Sequence, residues 1–200
     1  DIVVNNAGIE YPTHFDNLDM ALIRRLFDVH VFGSMMVTSA AWQHLVKSGT
    51  GRVINTISAA LYGMPERTGY GAAKGALLGF TRNLAVDGEP HGIKVNAVAP
   101  IAGTRMAENA AIPKSVRDFM MTLPPELVSP AVAYLAHADC AVTGTTFALG
   151  GGKICQLAIG EGTGMTSTDL SPEMIADNMA RLVDPSDLTV IQRVPFPTDG

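Results

Sequence analysis

Asp1-Ile2-Val3-Val4-Asn5-Asn6-Ala7-Gly8 opens the chain and points to its architecture. The apolar residues 2–4 predict a short buried strand, and the polar and small residues that follow lie at its carboxyl end. Open α/β sheets bind ligands at the carboxyl ends of their strands, where Gly8 allows close backbone approach and Ala7 presents little side chain. An ordinary asparagine-rich turn explains this segment equally well when it is considered alone.

The segment Tyr70-Gly71-Ala72-Ala73-Lys74 places a tyrosine and a lysine four residues apart. On a helix these positions share one face, about one turn apart. The lysine ammonium is expected to lower the pKa of the phenol from about 10, which would make it a general acid/base near neutral pH. Ser58, twelve residues upstream, supplies a hydroxyl that can hydrogen-bond a substrate carbonyl oxygen. For the Tyr–Lys spacing in isolation, a solvated surface pair is the commoner explanation.

Composition limits the classes of function. The 200 residues fit one domain, and a hydrophobic content of 47% supplies a sizeable core. A net charge of −5 argues against nucleic acid and anionic membrane surfaces as partners. Cys140 and Cys155 lack metal-ligand spacing, and a helix end explains the cluster of His137, Asp139 and Cys140 better than a metal site. The cysteines indicate a reduced, cytoplasmic compartment, and no apolar run is long enough for a transmembrane helix.

Hydrophobic periodicity and breaker residues predict alternating strands and helices. Strands are expected at 2–5, 52–57, 93–98, 145–149 and 153–159, and helices at about 17–47, 70–88, 129–138 and 171–182. Residues 101–125 show no single period, and Pro195 and Pro197 predict an irregular tail.

Four motifs follow one another in an order typical of one enzyme family: Asn5-Asn6-Ala7-Gly8, Ser58, Tyr70 with Lys74, and Asn96-Ala97-Val98-Ala99-Pro100. Together they resemble the short-chain dehydrogenase/reductase family, over residues 1 to about 152. Within this family the chain is most similar to the hydroxyacyl-CoA dehydrogenase domains of multifunctional β-oxidation enzymes and their bacterial relatives. The narrower likeness is carried by Val29-His30-Val31-Phe32-Gly33, Ala40-Ala41-Trp42 and Ala99-Pro100-Ile101-Ala102-Gly103-Thr104-Arg105-Met106.

The resemblance implies an α/β fold with a doubly wound, Rossmann-like parallel sheet. Residues 1–152 would form the catalytic half of the domain, and residues 153–200 a C-terminal extension packed on the same domain. The strand at 2–5 looks like the fourth of the family's sheet. The N-terminal strands, with the glycine-rich loop that cradles the cofactor pyrophosphate, are therefore expected to be missing from this chain.

The resemblance also implies a reaction and the residues that perform it. The expected activity is the NAD(P)-dependent interconversion of a secondary alcohol and a ketone, with the hydride chemistry supplied by the cofactor. Tyr70 would be the general acid/base, Lys74 would tune it, Ser58 would orient the carbonyl, and His30 would complete the catalytic set. The expected cofactor-binding residues are Asn6, Ala7, Gly8, Tyr70, Lys74, Pro100 and Thr104, with no metal. NAD or NADP fits, and the resemblance favours NAD.

Three departures from the family pattern leave a rival interpretation open. Ser58 lies one residue closer to Tyr70 than is common, and Ile101 replaces the usual glycine after Pro100. His30 stands where many members carry an asparagine linked through water to the lysine. This histidine can support such a relay, or it can be a core residue hydrogen-bonded to backbone. The rival function is that of a catalytically inactive member acting as a binding or scaffold protein.

Likeness to the subfamily makes a 3-hydroxyacyl thioester the first expected substrate, which would be a small molecule. Met106, Met120 and Met121 fit either the lining of a substrate pocket or the core. Asn96 is expected to fix the sheet rather than to touch substrate.

Assembly is the last expectation. Members of the family commonly associate through the two long helices placed here at about 17–47 and 70–87. Met36 and Trp42 offer more apolar surface than a monomer exposes as a patch, and small residues such as Ala72 and Gly79 permit close helix approach. A homodimer or homotetramer with two-fold symmetry is therefore predicted.

Overall fold

A parallel sheet organises the first part of the chain. The computed structural model describes residues 1–193, and the predicted tail with Pro195 and Pro197 lies outside them. The chain divides into two compact units, Asp1–Leu157 and Ala158–Gly200. The strands of the first unit are β1 (Ile2–Asn5), β2 (Arg52–Thr56), β3 (Lys94–Pro100), β4 (Thr146–Gly150) and β5 (Lys153–Leu157). They lie in the order β1-β2-β3-β4-β5, with the first four parallel and β5 antiparallel to β4.

Helices connect the strands of the first unit. They are α1 (Met20–Phe27), α2 (Gly33–Ser48), α3 (Thr68–Gly88), α4 (Arg105–Glu108), α5 (Lys114–Met121) and α6 (Ser129–Ala136). Short 3-10 turns lie at Phe15–Asn17, Ala59–Tyr62, Glu89–His91 and Pro125–Leu127. A π-helical turn, Asp28–Phe32, joins α1 to α2. The long helix predicted at 17–47 is thus present, but its hydrogen-bond register changes in the middle.

Helices cover both faces of the sheet, because successive side chains of its strands point to opposite sides. On one face, Val53 packs with Leu45 of α2 and Ala85 of α3. On the other face, the neighbouring residue Ile54 packs with Leu135 of α6. The predicted fold class, a doubly wound α/β sheet of the Rossmann type, is confirmed.

A buried network of amides and hydroxyls ties the edge of the sheet to its helices. The Asn5 side-chain amide donates to Thr38 Oγ1 of α2 at 2.9 Å and to Asn55 Oδ1 of β2 at 2.8 Å. The Asn55 amide donates in turn to Thr81 Oγ1 of α3 at 2.9 Å. Since Asn5 and Asn55 face each other in the β1–β2 ladder, the network fixes the register of this strand pair.

Asn96 has the structural role predicted for it. Its side-chain amide donates to the Val142 carbonyl at 2.9 Å, and its Oδ1 accepts from the Thr145 amide at 3.1 Å. Asn96 is almost fully buried. It therefore satisfies backbone groups of the segment that leads into β4.

Arg52 fixes the opposite end of β2. The residue is 5% exposed, and its guanidinium donates to the carbonyls of His137 and Ala138 beyond α6. It also donates to the carbonyls of Thr50 and Gly51. The buried cation is thus solvated by backbone dipoles, including those just after the end of a helix.

The second unit contains β6 (Gly160–Gly162), α7 (Pro172–Leu182), a 3-10 turn (Pro185–Asp187) and β7 (Leu188–Val190), with β6 and β7 antiparallel. Ser171 caps α7, because its Oγ accepts from the Met174 amide at 3.2 Å. No helix of the described residues is both long enough and apolar enough to cross a bilayer.

The strand expected at 153–159 forms as β5, which pairs with β4 and lies in the first compact unit. Pairing occurs because it satisfies backbone groups that β4 would otherwise leave open on that side. The division of the chain after Gly152 and the packing of residues 153–200 on the same domain stay predictions.

Candidate active site

The carboxyl ends of β1, β2 and β3 meet at one edge of the sheet, because the three strands are parallel. A cavity of about 480 Å³ lies at this edge. The predicted site residues that line it are Asn6, Gly8, His30, Ser58, Tyr70, Lys74, Pro100 and Thr104. Among the described residues, Ala7 is the predicted site residue that does not line this cavity. The fold therefore gathers the predicted residues from five separate segments.

Ser58 follows β2 in extended backbone, immediately before the turn Ala59–Tyr62. Its Oγ accepts a hydrogen bond from the Ala60 amide at 3.1 Å, which leaves the hydroxyl proton available for donation. The serine interacts in this way with the phenol of Tyr70. The shorter Ser58–Tyr70 spacing therefore does not keep the two hydroxyls apart.

Tyr70 lies in the first turn of α3, and burial raises the pKa of its phenol above the usual value. The hydrogen bond from Ser58 acts in the opposite direction, the Glu10 carboxylate raises the pKa further, and the Arg67 guanidinium lowers it. The net shift is therefore upward, opposite to the lowered pKa that was expected from the Lys74 ammonium. The phenol is protonated at neutral pH and is a proton donor.

The path of the Lys74 side chain explains this result. Lys74 shares the Tyr70 face of α3, as predicted, but its Nζ donates to the Thr56 carbonyl at the end of β2, at 2.6 Å. The same nitrogen lies 5.6 Å from the centre of the Tyr70 ring. Lys74 is 4% exposed, and burial lowers its pKa to about 8. The ammonium thus contacts a carbonyl and the face of the phenol ring.

His30 lies in the π-helical turn and is 1% exposed. Its Nε2 lies 2.7 Å from the Ile9 carbonyl oxygen, a distance that fits donation by Nε2–H. Nδ1 then carries the lone pair, and it has no partner among the described residues. Burial, followed by the charge of Lys74, lowers the pKa of the imidazole, which is therefore neutral at pH 7. Nε2 thus behaves as expected of a core histidine hydrogen-bonded to backbone, whereas Nδ1 is left as an acceptor for a water linked to Lys74.

The ring of His30 also explains why residue 8 is a glycine. The imidazole packs edge-on against the Tyr70 ring, with 5.4 Å between ring centres. A Cβ on Gly8 would lie 2.8 Å from His30 Cε1, which is closer than van der Waals contact allows. The sequence suggested that a glycine at position 8 allows a ligand to come close to the backbone. The structure adds a second reason, because the His30 ring also needs this space.

The remaining predicted residues lie at the loops that follow β1 and β3. Asn6 Oδ1 accepts a hydrogen bond from Thr56 Oγ1 at 2.9 Å. Pro100 ends β3, and Thr104 caps α4 by accepting from the Ala107 amide at 3.3 Å. Amide, hydroxyl and ammonium groups beside a glycine and a proline suit the ribose and carboxamide of a nicotinamide nucleotide. The residues present fit this group.

One wall of the cavity is apolar, and the sequence revealed only part of it. The three methionines were expected either to line a substrate pocket or to pack in the core. Met106 and Met120 line the cavity, whereas Met121 is not among its described lining residues. Further apolar lining residues are Met64, Ala102, Ala107, Ala110 and Ile112. Residues 101–125, which lack a single period, supply most of this wall because α4 and α5 are short and follow one another through irregular backbone.

An ion pair between Glu10 and Arg67 also lines the cavity and was not foreseen. The two residues are 57 positions apart, so no local pattern indicates their contact. The sequence signal for Arg67 is its place about one helical turn before Tyr70. Among residues 1–193, no three His, Cys, Asp or Glu side chains gather in a way that would hold a metal ion.

Several known proteins are similar to this chain. A family model described as short chain dehydrogenase matches residues 1–114. The chain is 36% identical over 208 residues to peroxisomal multifunctional enzyme type 2 of Mus musculus. This alignment covers 100% of the chain and 27% of the mouse protein. It is 42% identical over 159 residues to the peroxisomal hydratase-dehydrogenase-epimerase of Neurospora crassa, covering 78% of this chain and 17% of that protein.

A solved structure gives the same result. Full-length peroxisomal multifunctional enzyme type 2 from Drosophila melanogaster matches with a TM-score of 0.80 and 27% identity, over 94% of this chain and 35% of that one. The chain spans less than half the length of each of these relatives. The matched residues 1–114 contain the strand-end asparagines, Ser58, Tyr70 with Lys74, and β3. The chain belongs to the short-chain dehydrogenase family.

Proposed function

We propose that the protein is an NAD(P)-dependent oxidoreductase that interconverts a secondary alcohol and a ketone. One observation carries the proposal: Ser58, Tyr70 and Lys74 line the same cavity, and burial keeps the Tyr70 phenol protonated. An inactive scaffold is the weaker candidate. A buried lysine with a pKa of about 8 destabilises the fold, and scaffolding gains nothing from that cost.

The hydroxyls of Ser58 and Tyr70 act on the same substrate oxygen. In the reducing direction, Ser58 donates a hydrogen bond to the ketone oxygen and Tyr70 transfers its phenolic proton to it. A bound nicotinamide cofactor supplies the hydride. In the oxidising direction Tyr70 takes a proton from the alcohol and must first lose its own. Because its pKa is raised, we expect reduction to predominate at neutral pH and oxidation to gain at alkaline pH.

Cofactor contacts are assigned to the residues at the strand ends. Lys74 would bind the ribose hydroxyls, with Tyr70 beside it, and Thr104 would lie near the carboxamide. The other proposed contacts are Asn6, Ala7, Gly8 and Pro100. Ala7 would act through its backbone, since it is not one of the described residues that line the cavity.

His30 is proposed as the inner end of a proton path. When Nε2 carries the proton and donates to Ile9, Nδ1 is an acceptor, buried beside Tyr70 and without a partner among the described residues. A water that donates to Nδ1 and accepts from the Lys74 ammonium would connect the two groups. The neutral imidazole suits this role, because an imidazolium would repel Lys74.

A 3-hydroxyacyl thioester is the proposed substrate. The cavity places the polar groups of Ser58 and Tyr70 beside an apolar wall that includes Met64, Met106 and Met120, which suits a carbonyl attached to an acyl chain. The Neurospora relative is named a hydratase-dehydrogenase-epimerase, which supports a substrate alcohol that is made by hydration. A hydratase adds water to a double bond, and the resulting alcohol is what a dehydrogenase oxidises.

We further propose NAD as the cofactor, by likeness to the subfamily, and neither nucleic acid nor membrane as a partner. The cytoplasm is the compartment proposed from the sequence. The relatives from mouse and Neurospora carry the word peroxisomal in their names, which favours the peroxisome instead. Localisation of a tagged full-length protein decides between the two.

A homodimer or homotetramer is proposed to form through α2 and α3. Met36 of α2 is 65% exposed, and Val37 of α2 and Val86 of α3 are also exposed. Ala72 is exposed on α3, and a Cβ on Gly79 would meet nothing within 4 Å, so a second helix can approach closely. Burying such a surface against its symmetry mate would remove an apolar patch from water.

Tyr70→Phe tests the proposed activity. The substitution removes one hydroxyl, so the protein should fold and bind NADH while ketone reduction falls by a factor of about 100 or more. Reduction is followed by NADH absorbance with 3-oxoacyl thioesters, and NADH binding by fluorescence. Tyr134→Phe, on the exposed surface of α6, is the matched control and should keep full activity. Turnover near the wild-type level in Tyr70→Phe would refute the assignment.

A further inference from the structure

Arg67 is a buried cation in the cavity wall which, beyond the effect of its charge on the Tyr70 pKa, has no role in the proposed chemistry. It is 3% exposed and forms an ion pair with Glu10, which belongs to the loop after β1. Both side chains line the cavity. A buried ion pair gives little net stability, because desolvation offsets most of the attraction between its charges. Its position beside the site therefore calls for another explanation.

The Arg67 guanidinium makes a further contact that reaches across the cavity wall. Its Nη2 donates to the Ala111 carbonyl at 2.9 Å. Ala111 lies between Ala110 and Ile112, two residues of the apolar wall. Arg67 thus joins three segments: the loop after β1, the start of α3, and the wall-forming segment at 105–121.

That segment has few other anchors. α4 has only four residues, and none of the residues of α5 is buried. The Gly103 amide donates to the Leu123 carbonyl at 2.8 Å, which closes the segment at its base. Between these ends, the hydrogen bond from Arg67 holds the backbone at Ala111. Short helices that bury little, here only Ala107 of α4 and no residue of α5, depend on such contacts for their position.

We propose that Arg67 is a positioning residue that holds the apolar wall against the catalytic helix and thereby sets how tightly long acyl chains bind. The inference rests on the proposed function, since it concerns the substrate of the same cavity. An arginine suits this task because its planar fork donates in several fixed directions at once. A short substrate that reaches only Ser58 and Tyr70 would not depend on the wall.

Arg67→Lys is the sharpest test. A lysine keeps the positive charge beside Glu10, but its single ammonium cannot reproduce the fork that reaches both the carboxylate and the Ala111 carbonyl. In the full-length protein we expect the KM for 3-oxododecanoyl-CoA to rise about tenfold, the change that loss of one charged hydrogen bond predicts. The KM for 3-oxobutanoyl-CoA and both kcat values should change less than about twofold, which is within the effect of an ordinary surface substitution.

The double variant Arg67→Met with Glu10→Gln separates positioning from stability. It removes both buried charges, so the penalty for an unpaired carboxylate disappears and its melting temperature should exceed that of Arg67→Met alone. The anchor at Ala111 is still missing, and the KM ratio of long to short substrate should stay high. Recovery of that ratio together with stability, or equal KM changes for the two substrates, would overturn the proposal.

Limited digestion with trypsin provides a readout that needs no substrate. Arg105, Lys114 and Arg117 all lie in the segment that Arg67 holds. Arg67→Lys and the double variant should be cut faster at these sites than the wild type, with unchanged cleavage after Lys47. If digestion is faster but neither thioester is reduced, the positioning role stands and the substrate proposal fails. Unchanged digestion in both variants would reject the role of Arg67, whatever the activity of the wild type.

Discussion

Replacement of Lys74 by methionine should stabilise the cofactor-free protein at neutral pH while it removes activity. Lys74 is 4% exposed, and burial lowers its pKa from 10.5 to about 8. At pH 7 the folded protein therefore holds a charged group in surroundings that favour a neutral one. Methionine has a similar length and carries no charge, so the variant avoids this desolvation cost.

The expected gain follows from the pKa and from one hydrogen bond. A tenfold change in proton affinity is worth about 1.4 kcal/mol, so a pKa lowered from 10.5 to about 8 costs the fold about 3 kcal/mol at pH 7. The variant also loses the hydrogen bond from Lys74 Nζ to the Thr56 carbonyl, worth about 1 kcal/mol. The free energy of unfolding should therefore rise by about 2 kcal/mol.

The gain should depend on pH in a definite direction. Because the folded pKa lies below the unfolded one, the unfolded chain binds more protons between about pH 8 and pH 10.5. Wild-type stability therefore rises with pH across this window, and the advantage of the variant shrinks by about 2 kcal/mol between pH 7 and pH 9.5. The raised pKa of Tyr70 acts in the opposite sense only above about pH 10.

Urea unfolding at several pH values measures this effect. The chain has one tryptophan, whose fluorescence reports unfolding. Cofactor must be removed, because ligand binding stabilises the folded state by mass action. Lys47→Met, on the exposed surface of α2, is the matched control and should change stability by less than about 0.5 kcal/mol. A Lys74→Met protein that is less stable than wild type at pH 7, or whose gain is the same at pH 9.5, would refute the reasoning.

Two further predictions concern assembly and packing. Ala72→Arg places a charged side chain on the exposed face of α3 and should convert the proposed oligomer to monomers in sedimentation experiments; an oligomer that survives would mean that its interface lies elsewhere. Arg52→Met removes the guanidinium that donates to four backbone carbonyls, and should lower the free energy of unfolding by about 3 kcal/mol in urea titrations. Arg24→Met, on the exposed surface of α1, is its control, and equal stability of the two variants would contradict the role given to Arg52.

Local patterns predicted the strands, and the helix that carries Tyr70 and Lys74, closely. β2 was expected at 52–57 and is Arg52–Thr56, because the β-branched residues Val53, Ile54 and Thr56 favour a strand. Tyr70 and Lys74 share a helix face because four residues make about one turn. The serine and the strand-end asparagine reach the same cavity because the carboxyl ends of parallel strands coincide.

The destinations of long side chains could not be predicted in the same way. Spacing fixes where the Lys74 backbone lies, but its Nζ donates to the carbonyl of Thr56, which belongs to β2 and is 18 residues away in the sequence. The contact of Arg67 with Glu10 depends on the path of the chain across 57 residues. Ala7 does not line the cavity although its neighbours Asn6 and Gly8 do, and the sequence pattern after β1 gave no sign of this difference.

The π-helical turn at Asp28–Phe32 has a consequence for how the chain can vary in length. Its wider ring, closed where the Gly33 amide donates to the Asp28 carbonyl, accommodates one residue more than regular α-helix would. Deleting one residue there would let the turn return to regular α-helix while α1 and α2 keep nearly their present orientation about the helix axis. Thr38 would still face Asn5, and the exposed apolar side chains of α2 would stay on their present side. The change would fall on the residues of the turn itself, among them His30, so the length of the chain can vary here without loss of the packing of α2, but not without displacing this histidine.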